Sequence, residues 1–507
     1  MTLAIAEPHF RVSPAVLRAC VSVATALAPV SLLLVWHWHL LPPISATDYA
    51  QYILHAKALV EGRPYTDTGY LFTQFAPFIG PRALPPGLPL TLAPFVAIGG
   101  VNSPLLRLVP IASQLALLIV VWRYFSRSHS PAAGWAAAAM TGVSLEAGYT
   151  STAPISEPGF CALLWGLLLV VDGAQDRWGA RRAVAVTLLG FGAMAYRVAG
   201  VALVPAVGLW ALLHWRRVGP WAFAPVVAWC TAAGAVVLAG SLRLVGPADM
   251  NALTFDILWR RLISRSETYK LAVFESHLYP FASDAANDVY HLVTALLMVV
   301  GTVVFLRSRW RSLLSLFALS YMAMLLAVPV ADGRYLWPLF PLSAALLAMG
   351  ARAVIGWARP APAAFAERGA IAVVAVATLA TCVRLIQRPE PPSLLGRPDV
   401  VALFEHIGSQ ADVTSHRYVF VNPRVLSLET GAKAMGLFAA PSEEIALREL
   451  EEQGITHVVL GSLGIDERQN RFLSALVAGQ PARFRLEYTS GPFQVYRVLD
   501  AARNGES

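Results

Sequence analysis

Runs of about 20 apolar residues recur along this chain, and every second connection between them carries a short cluster of arginines. This pattern constrains the fold more than any other feature, because a run of about 20 apolar residues crosses the hydrocarbon core of a bilayer as a helix. The runs lie at about 14–40, 103–125, 131–148, 155–172, 180–196, 198–214, 221–245, 286–306, 312–330, 335–356 and 366–386. The clusters are Arg11/Arg18, Arg123/Arg127, Arg177/Arg181/Arg182, Arg216/Arg217, Arg307/Arg309/Arg311 and Arg352/Arg359/Arg368. Their alternation makes one side of the bundle consistently positive, and that side faces the cytoplasm. The spacing predicts a polytopic α-helical membrane protein of about eleven transmembrane helices, N-terminus in and C-terminus out.

Composition agrees and closes other routes. Only 14% of the 507 residues are charged, where a soluble domain carries about a quarter. The net charge of +8 would suit a nucleic-acid partner in a soluble chain. Here the clusters at the span ends account for it, so no nucleic acid is expected. Cys20, Cys161, Cys230 and Cys382 all lie inside apolar runs and read as small buried hydrophobes. Their spacing implies neither a disulfide framework nor a metal site, and no cofactor is predicted. Arg11 and Arg18 precede a run too long for a signal-peptide core, and Trp36-His37-Trp38-His39 stands where a small-residue cleavage site belongs. The first span is therefore expected to be retained, with the Trp-His repeat as an interfacial belt.

The connection from 41 to 102 is the first outer loop, and its acids stand out because Glu7 alone precedes them. Two readings of Asp48 follow from local spacing. A carboxylate just outside a span can take a proton from an incoming hydroxyl. Equally, Ser45-Ala46-Thr47-Asp48 resembles a capping box with Ser45 as N-cap. The helix Tyr49–Glu61 that follows places Tyr49, Tyr52, Ile53, Ala56 and Val60 on one stripe, the pattern of a helix lying on a membrane surface. Asp67 is either a second acid or the Asx residue of a turn. Pro86–Gly100 is apolar but short for a span, and is expected to be an interfacial or re-entrant helix.

Later connections add charges at the same outer level. Glu157 opens a span, where it is a helix-dipole partner or an active-site acid. Arg197 and Arg334 each join two spans. They either grip phosphate, reach lipid headgroups, or pair with Asp332 or Glu157. The outer loop 246–285 mixes Arg260, Arg261, Arg265 and Lys270 with aromatic residues, as a lipid-phosphate, glycan or plain membrane-facing surface does. There is no GxGxxG, P-loop or HExxH motif, so soluble nucleotide chemistry has no visible home.

Beyond Pro389 the composition turns soluble, and residues 390–507 are expected to form a small α/β extracytoplasmic domain appended to the membrane part, 1–389. Val400–Gly408, Ser442–Gln453 and Asp466–Val477 have helical spacing. Arg417–Val421 and Ile455–Leu460 read as strands, and Phe484–Tyr488 with Phe493–Leu499 as a hairpin around Gly491-Pro492.

Taken in order, Asp48, Leu84-Pro85-Pro86-Gly87-Leu88-Pro89-Leu90, Ser156-Glu157-Pro158, Tyr196-Arg197-Val198-Ala199-Gly200 and Gly333-Arg334-Tyr335-Leu336-Trp337-Pro338-Leu339 resemble the GT-C glycosyltransferases. Within them the resemblance is to the protein O-mannosyltransferase and aminoarabinose-transferase group. It covers about residues 14–390, and the C-terminal domain resembles the variable appendage of such enzymes. The resemblance implies inverting transfer of a sugar from a polyprenyl-phosphate donor to a lipid, glycan or protein acceptor outside a bacterial cytoplasmic membrane. It implies Asp48 as general base, with Glu157 or Asp67 as a further acid. Arg197 and Arg334, then Arg82, would hold the donor phosphate. The family often has two adjacent acids in the first loop, whereas here Tyr49 follows Asp48, which leaves the second acid and any metal unassigned. The competing class is a lipid or polysaccharide transporter. It should show paired broken helices and a pseudo-repeat, neither of which the sequence contains.

Overall fold

A computed structural model of the chain describes residues 47–73, 75, 84–101, 104–142, 153–173, 177–238, 283–327, 333–358, 383, 395–437, 440–461, 463 and 467–499. The expected span 14–40, nearly all of the span 366–386, Ser45, Arg82, Asp332 and nearly all of the 246–285 loop lie outside these residues.

The membrane part is helical: α1 (Thr47–Val60), α2 (Gly87–Gly99), α3 (Leu108–Ser128), α4 (Pro131–Gly142), α5 (Glu157–Asp172), α6 (Ala180–Tyr196), α7 (Leu203–Val218), α8 (Ala224–Leu238), α9 (Asp284–Arg309), α10 (Leu313–Ala327) and α11 (Phe340–Ala358). Among the described residues four helical stretches are long and apolar enough to cross a membrane, 104–128, 198–218, 285–309 and 333–357. Shorter apolar helices among the described residues cover 87–99, 220–233 and 313–326. At its 13 residues α2 is one of these short apolar helices.

Two kinds of helix surface organise the bundle. α5 is buried on nearly every side, with Phe160, Leu164, Trp165 and Leu168 fully enclosed, as suits a helix that is apolar all round. Phe125, Trp229, Phe317, Tyr321 and Trp337 belong to the same core. α9 instead leaves Val289, Leu292, Leu296, Val299 and Val303 exposed. Their 3-4-3-4 spacing is one helix face, an apolar stripe of the kind that a lipid phase solvates. Cys161 is buried as expected, but Cys230 lies exposed on α8. An apolar residue at a lipid-facing position needs no protein cover.

The C-terminal residues form α12 (Pro398–Gly408), β1 (Arg417–Val419), α13 (Pro423–Thr430), β2 (Lys433–Met435), α14 (Glu443–Glu452), β3 (His457–Leu460), α15 (Glu467–Gly479), β4 (Phe484–Ser490) and β5 (Phe493–Val498). The sheet order is β2-β1-β3-β5-β4. β1 pairs in parallel with β2 and β3, and β5 runs antiparallel to β3 and β4. Ser442 caps α14 by accepting from the Ile445 N–H at 3.3 Å, and Gly491 turns the hairpin at φ 55°. Alternation along β1 sends Tyr418 and Phe420 to one face of the sheet and Val419 to the other. Sequence spacing gave no sign of α13 or β2.

These C-terminal elements do not stand apart from the first outer loop. Ala434 of β2 accepts from the Leu71 N–H at 2.8 Å and donates to the Gly69 carbonyl at 2.9 Å, so the loop extends the sheet edge. One core joins Tyr49, Tyr52 and Ile53 of α1, Leu88 and Leu92 of α2, and Phe404, Phe420, Leu426 and Phe493 of the C-terminal layer. α1 is therefore not the membrane-surface helix that its stripe predicts. Ala50, Gln51, Leu54 and His55, off that stripe, are buried as well. Part of what covers α1, the C-terminal layer, comes from far along the chain, which local periodicity cannot register.

Candidate active site

The site assembles where α1, the start of α5, the α6–α7 turn and the 333–339 turn meet beneath α13. Three sequence boxes meet there for a steric reason. The Tyr196 ring lies against Gly159, where a Cβ would sit 2.1 Å from it, and against Gly87, where a Cβ would sit 2.7 Å away. Only glycine allows that approach. The Tyr196 hydroxyl then donates to Thr91 of α2 at 3.1 Å. Packing Tyr196 in this way fixes the next residue, Arg197. Arg334 is fixed by its own turn, where the Pro338 carbonyl accepts from Trp165 Nε1 at 3.1 Å and the Tyr335 carbonyl from the Tyr321 hydroxyl at 2.8 Å.

The charges pair across these elements. Arg424 Nη1 donates to Asp48 Oδ1 at 2.9 Å, and Arg334 Nη2 donates to Asp48 Oδ2 at 3.3 Å. Arg197 forms an ion pair with Glu157 and also donates to Ser156 Oγ at 3.2 Å. Arg334 Nη1 lies 3.8 Å from the same Glu157 oxygen and so links the two carboxylates. The Tyr52 hydroxyl, four residues after Asp48, donates to Ser156 Oγ at 2.9 Å. Arg197 lies over the Tyr335 ring at 5.6 Å and Arg424 over the Tyr70 ring at 5.3 Å.

Glu157 and Arg424 are nearly closed off, with side chains 4% and 3% exposed, whereas Asp48 is 29% exposed and open to a ligand. Burial pushes the Asp48 carboxyl up, but Arg424, Arg334 and Arg197 outweigh that and hold it below its usual range. Among the described residues, Arg197, Arg334 and Arg424 face Asp48 and Glu157 in one cluster.

Four of the residues singled out by sequence thus come together: Asp48, Glu157, Arg197 and Arg334. Asp67 does not join them. It sits in a surface turn, 47% exposed, and pairs with Arg63 at 3.1 Å. Arg82 lies outside the described residues. The pairing of Arg197 with Glu157 was one of the alternatives open from sequence. Arg334 has Asp48 and Glu157 for partners. Sequence reasoning missed Arg424, and its one signal was a charged residue inside the largely apolar stretch Phe420–Leu428. Among the described residues no group of three or more His, Cys, Asp or Glu is placed to hold a metal ion. The two site carboxylates are engaged by guanidiniums.

No protein-family model and no curated protein matches this chain. Its structure is similar to that of the Archaeoglobus fulgidus oligosaccharyltransferase in complex with zinc and sulfate, with TM-score 0.56 and 13% identity over 86% of this chain and 67% of that one. It is similar to ArnT from Cupriavidus metallidurans bound to undecaprenyl phosphate, with TM-score 0.56 and 13% identity over 96% of this chain and 99% of that one. A third likeness is to the oligosaccharyltransferase AglB of Archaeoglobus fulgidus in complex with an inhibitory peptide and a dolichol-phosphate, with TM-score 0.52, 13% identity and coverages of 86% and 69%. The chain therefore shares the fold of these structures. At this identity the likeness defines architecture, and the chemistry has to be argued from the site.

Proposed function

We propose that this protein is an integral-membrane inverting glycosyltransferase that moves a sugar from a polyprenyl-phosphate donor to an acceptor hydroxyl or amine on the outer side of a bacterial cytoplasmic membrane. The observation that carries this reading is the half-open carboxylate of Asp48, held between Arg334 and Arg424 beside the Arg197–Glu157 pair. Asp48 takes the proton of the acceptor as that group attacks the anomeric carbon from the face opposite the phosphate. The bond from carbon to phosphate oxygen breaks, and the electron pair leaves with the polyprenyl phosphate. Arg197 and Arg334 stabilise the charge that the phosphate gains, with Arg82 as a further candidate from the first loop. Glu157 keeps Arg197 and Arg334 in place.

Arg424 is the positioning residue of this scheme. It fixes the carboxylate of Asp48 from the C-terminal layer. In the resting site Asp48 is a weak base because its arginines hold the proton off. A donor phosphate that draws Arg334 towards itself raises the basicity of Asp48 when the acceptor needs it. The eleven-span topology and the outer placement of residues 390–507 belong to the same reading. A reporter active only outside the cytoplasm, fused after Leu499, reads the orientation.

The central experiment offers the purified full chain a panel of polyprenyl-phosphate sugars with membrane-lipid, glycan and peptide acceptors. The expected outcome is polyprenyl phosphate released in step with a glycosylated acceptor. Absence of donor cleavage across the panel, by protein that is folded in a bilayer, would falsify the proposal.

A further inference from the structure

The end of the bundle away from Asp48 holds a second charged site. α5 has 16 residues from Glu157 to Asp172, so at about 1.5 Å per residue the two carboxylates lie roughly 22 Å apart along it. At the Asp172 end is a cavity of about 260 Å³ lined by Arg217, Arg307, Arg309 and Arg311, with His214 and Asp172. Asp172 is the one carboxylate among the described residues that line it, and its oxygens are already engaged by neutral donors. It accepts from the Tyr124 hydroxyl at 2.6 Å and from the Leu313 and Leu314 N–H groups at 2.8 and 3.3 Å. Arg309 donates to the Ser128 carbonyl at 2.7 Å, and Arg311 lies over the Trp310 ring at 4.5 Å.

A second cavity of about 250 Å³ on α7 adjoins the first through His214 and Arg217, and its other walls are Leu212, Leu213, Trp215 and Arg216. Leu212 and Trp215 are more than half exposed. A basic cavity and a mixed one with the apolar walls Leu212, Leu213 and Trp215 thus share a boundary on α7. Arginines that merely reach singly for headgroups would point apart along the rim. Here they converge from the end of α7 and the 307–311 turn on one space. We propose that this is a binding site for an anionic phospholipid, with the phosphate in the basic cavity and an acyl chain along Leu212 and Trp215. Guanidinium forks match phosphate, and basic pockets between membrane helices hold anionic headgroups. A free phosphate shares the headgroup chemistry but leaves the apolar walls uncovered.

The test reconstitutes the full chain in phosphatidylcholine and adds phosphatidylglycerol, reading retained lipid by native mass spectrometry and the thermal midpoint. Phosphatidylglycerol should be retained and should raise the midpoint. Arg307→Gln with Arg311→Gln, both at exposed positions, should weaken retention by about tenfold or more, the scale of lost charge-assisted bonds. Leu212→Gln, which removes apolar wall and no charge, should weaken it too. Arg181→Gln with Arg182→Gln, basic residues outside the cavity, should not. The proposal is overturned if the Arg181/Arg182 variant loses as much lipid as the Arg307/Arg311 variant, since the attraction is then general. It is also overturned if inorganic phosphate raises the midpoint as far as the lipid does, or if Leu212→Gln retains lipid in full.

Discussion

Helix α5 carries a carboxylate at each end, and the two are satisfied in opposite ways. Glu157 is held by charges, Arg197 and Arg334, that arrive from two separate turns. Asp172 is held by neutral donors, a tyrosine hydroxyl and the first N–H groups of α10. Neutral donors around a carboxylate make a staple, because they fix one helix start against another and answer to no ligand. Arginines around a carboxylate make an adjustable site, because an incoming phosphate competes for the same guanidiniums. If the proposed function holds, the difference separates a structural from a functional carboxylate within one helix, and it can be broken experimentally.

The largest expected effect is at Asp48, which belongs to the adjustable end. Asp48→Asn keeps the shape and removes the proton acceptor, so turnover should fall by about 10²–10⁴-fold while donor affinity is kept. A variant with more than about a tenth of normal turnover is too active to have lost a base of that strength, and the role would pass to Glu157.

Next come the two ends of α5 themselves. Glu157→Gln leaves Arg197 buried without its anion, and breaking a buried pair of this kind costs about 3–5 kcal/mol. Donor-dependent turnover should drop with it. Asp172→Asn still offers one acceptor oxygen. It should lower the thermal midpoint, by the equivalent of about 1–3 kcal/mol, and leave turnover near normal. Equal loss of turnover in both variants would erase the distinction between staple and site.

A smaller effect, with a definite sign, concerns Arg424. The carboxyl of Asp48 is held below its ordinary value of 3.8. Its charge, and the stabilisation from its ion pairs, is therefore fully present above the unfolded pKa and is lost as pH falls through the lower folded one. Arg424→Gln removes a cation bonded directly to Asp48 and lets that pKa rise. The acid limb of kcat/KM should move to higher pH, a shift that loosening of the C-terminal layer alone does not produce. An unmoved limb would assign Arg424 to packing. Smallest of all is Asp67→Asn. An exposed pair such as Asp67–Arg63 is worth about 0–1 kcal/mol, so turnover within about twofold of normal is expected. A loss comparable to that of Asp48→Asn would return Asp67 to the active site.

How much of this was legible beforehand depends on the range of each interaction. Helix starts and stops are local, so Ser442 as the cap of α14 and Gly491 in the hairpin turn could be read directly. The burial of α1 could not, because part of what covers it, the C-terminal layer, lies more than 300 residues further along the chain. The same distance hid the junction of the first loop with the edge of β2.

The sequence by itself determined that the chain belongs in a membrane, for hydropathy is written residue by residue and needs no tertiary contact to be felt. It also marked Asp48, Glu157, Arg197 and Arg334 as charges where apolar runs end, since a charge beside a bilayer is costly wherever the chain goes next. Only the tertiary structure decided that these four are neighbours. It alone brought Arg424 to Asp48 across 376 positions, and it alone separated Asp67 from them. Packing made those choices, through the Tyr196 ring against two glycines and through a core shared between α1 and the C-terminal layer. Such contacts leave no local mark except one arginine in a largely apolar stretch.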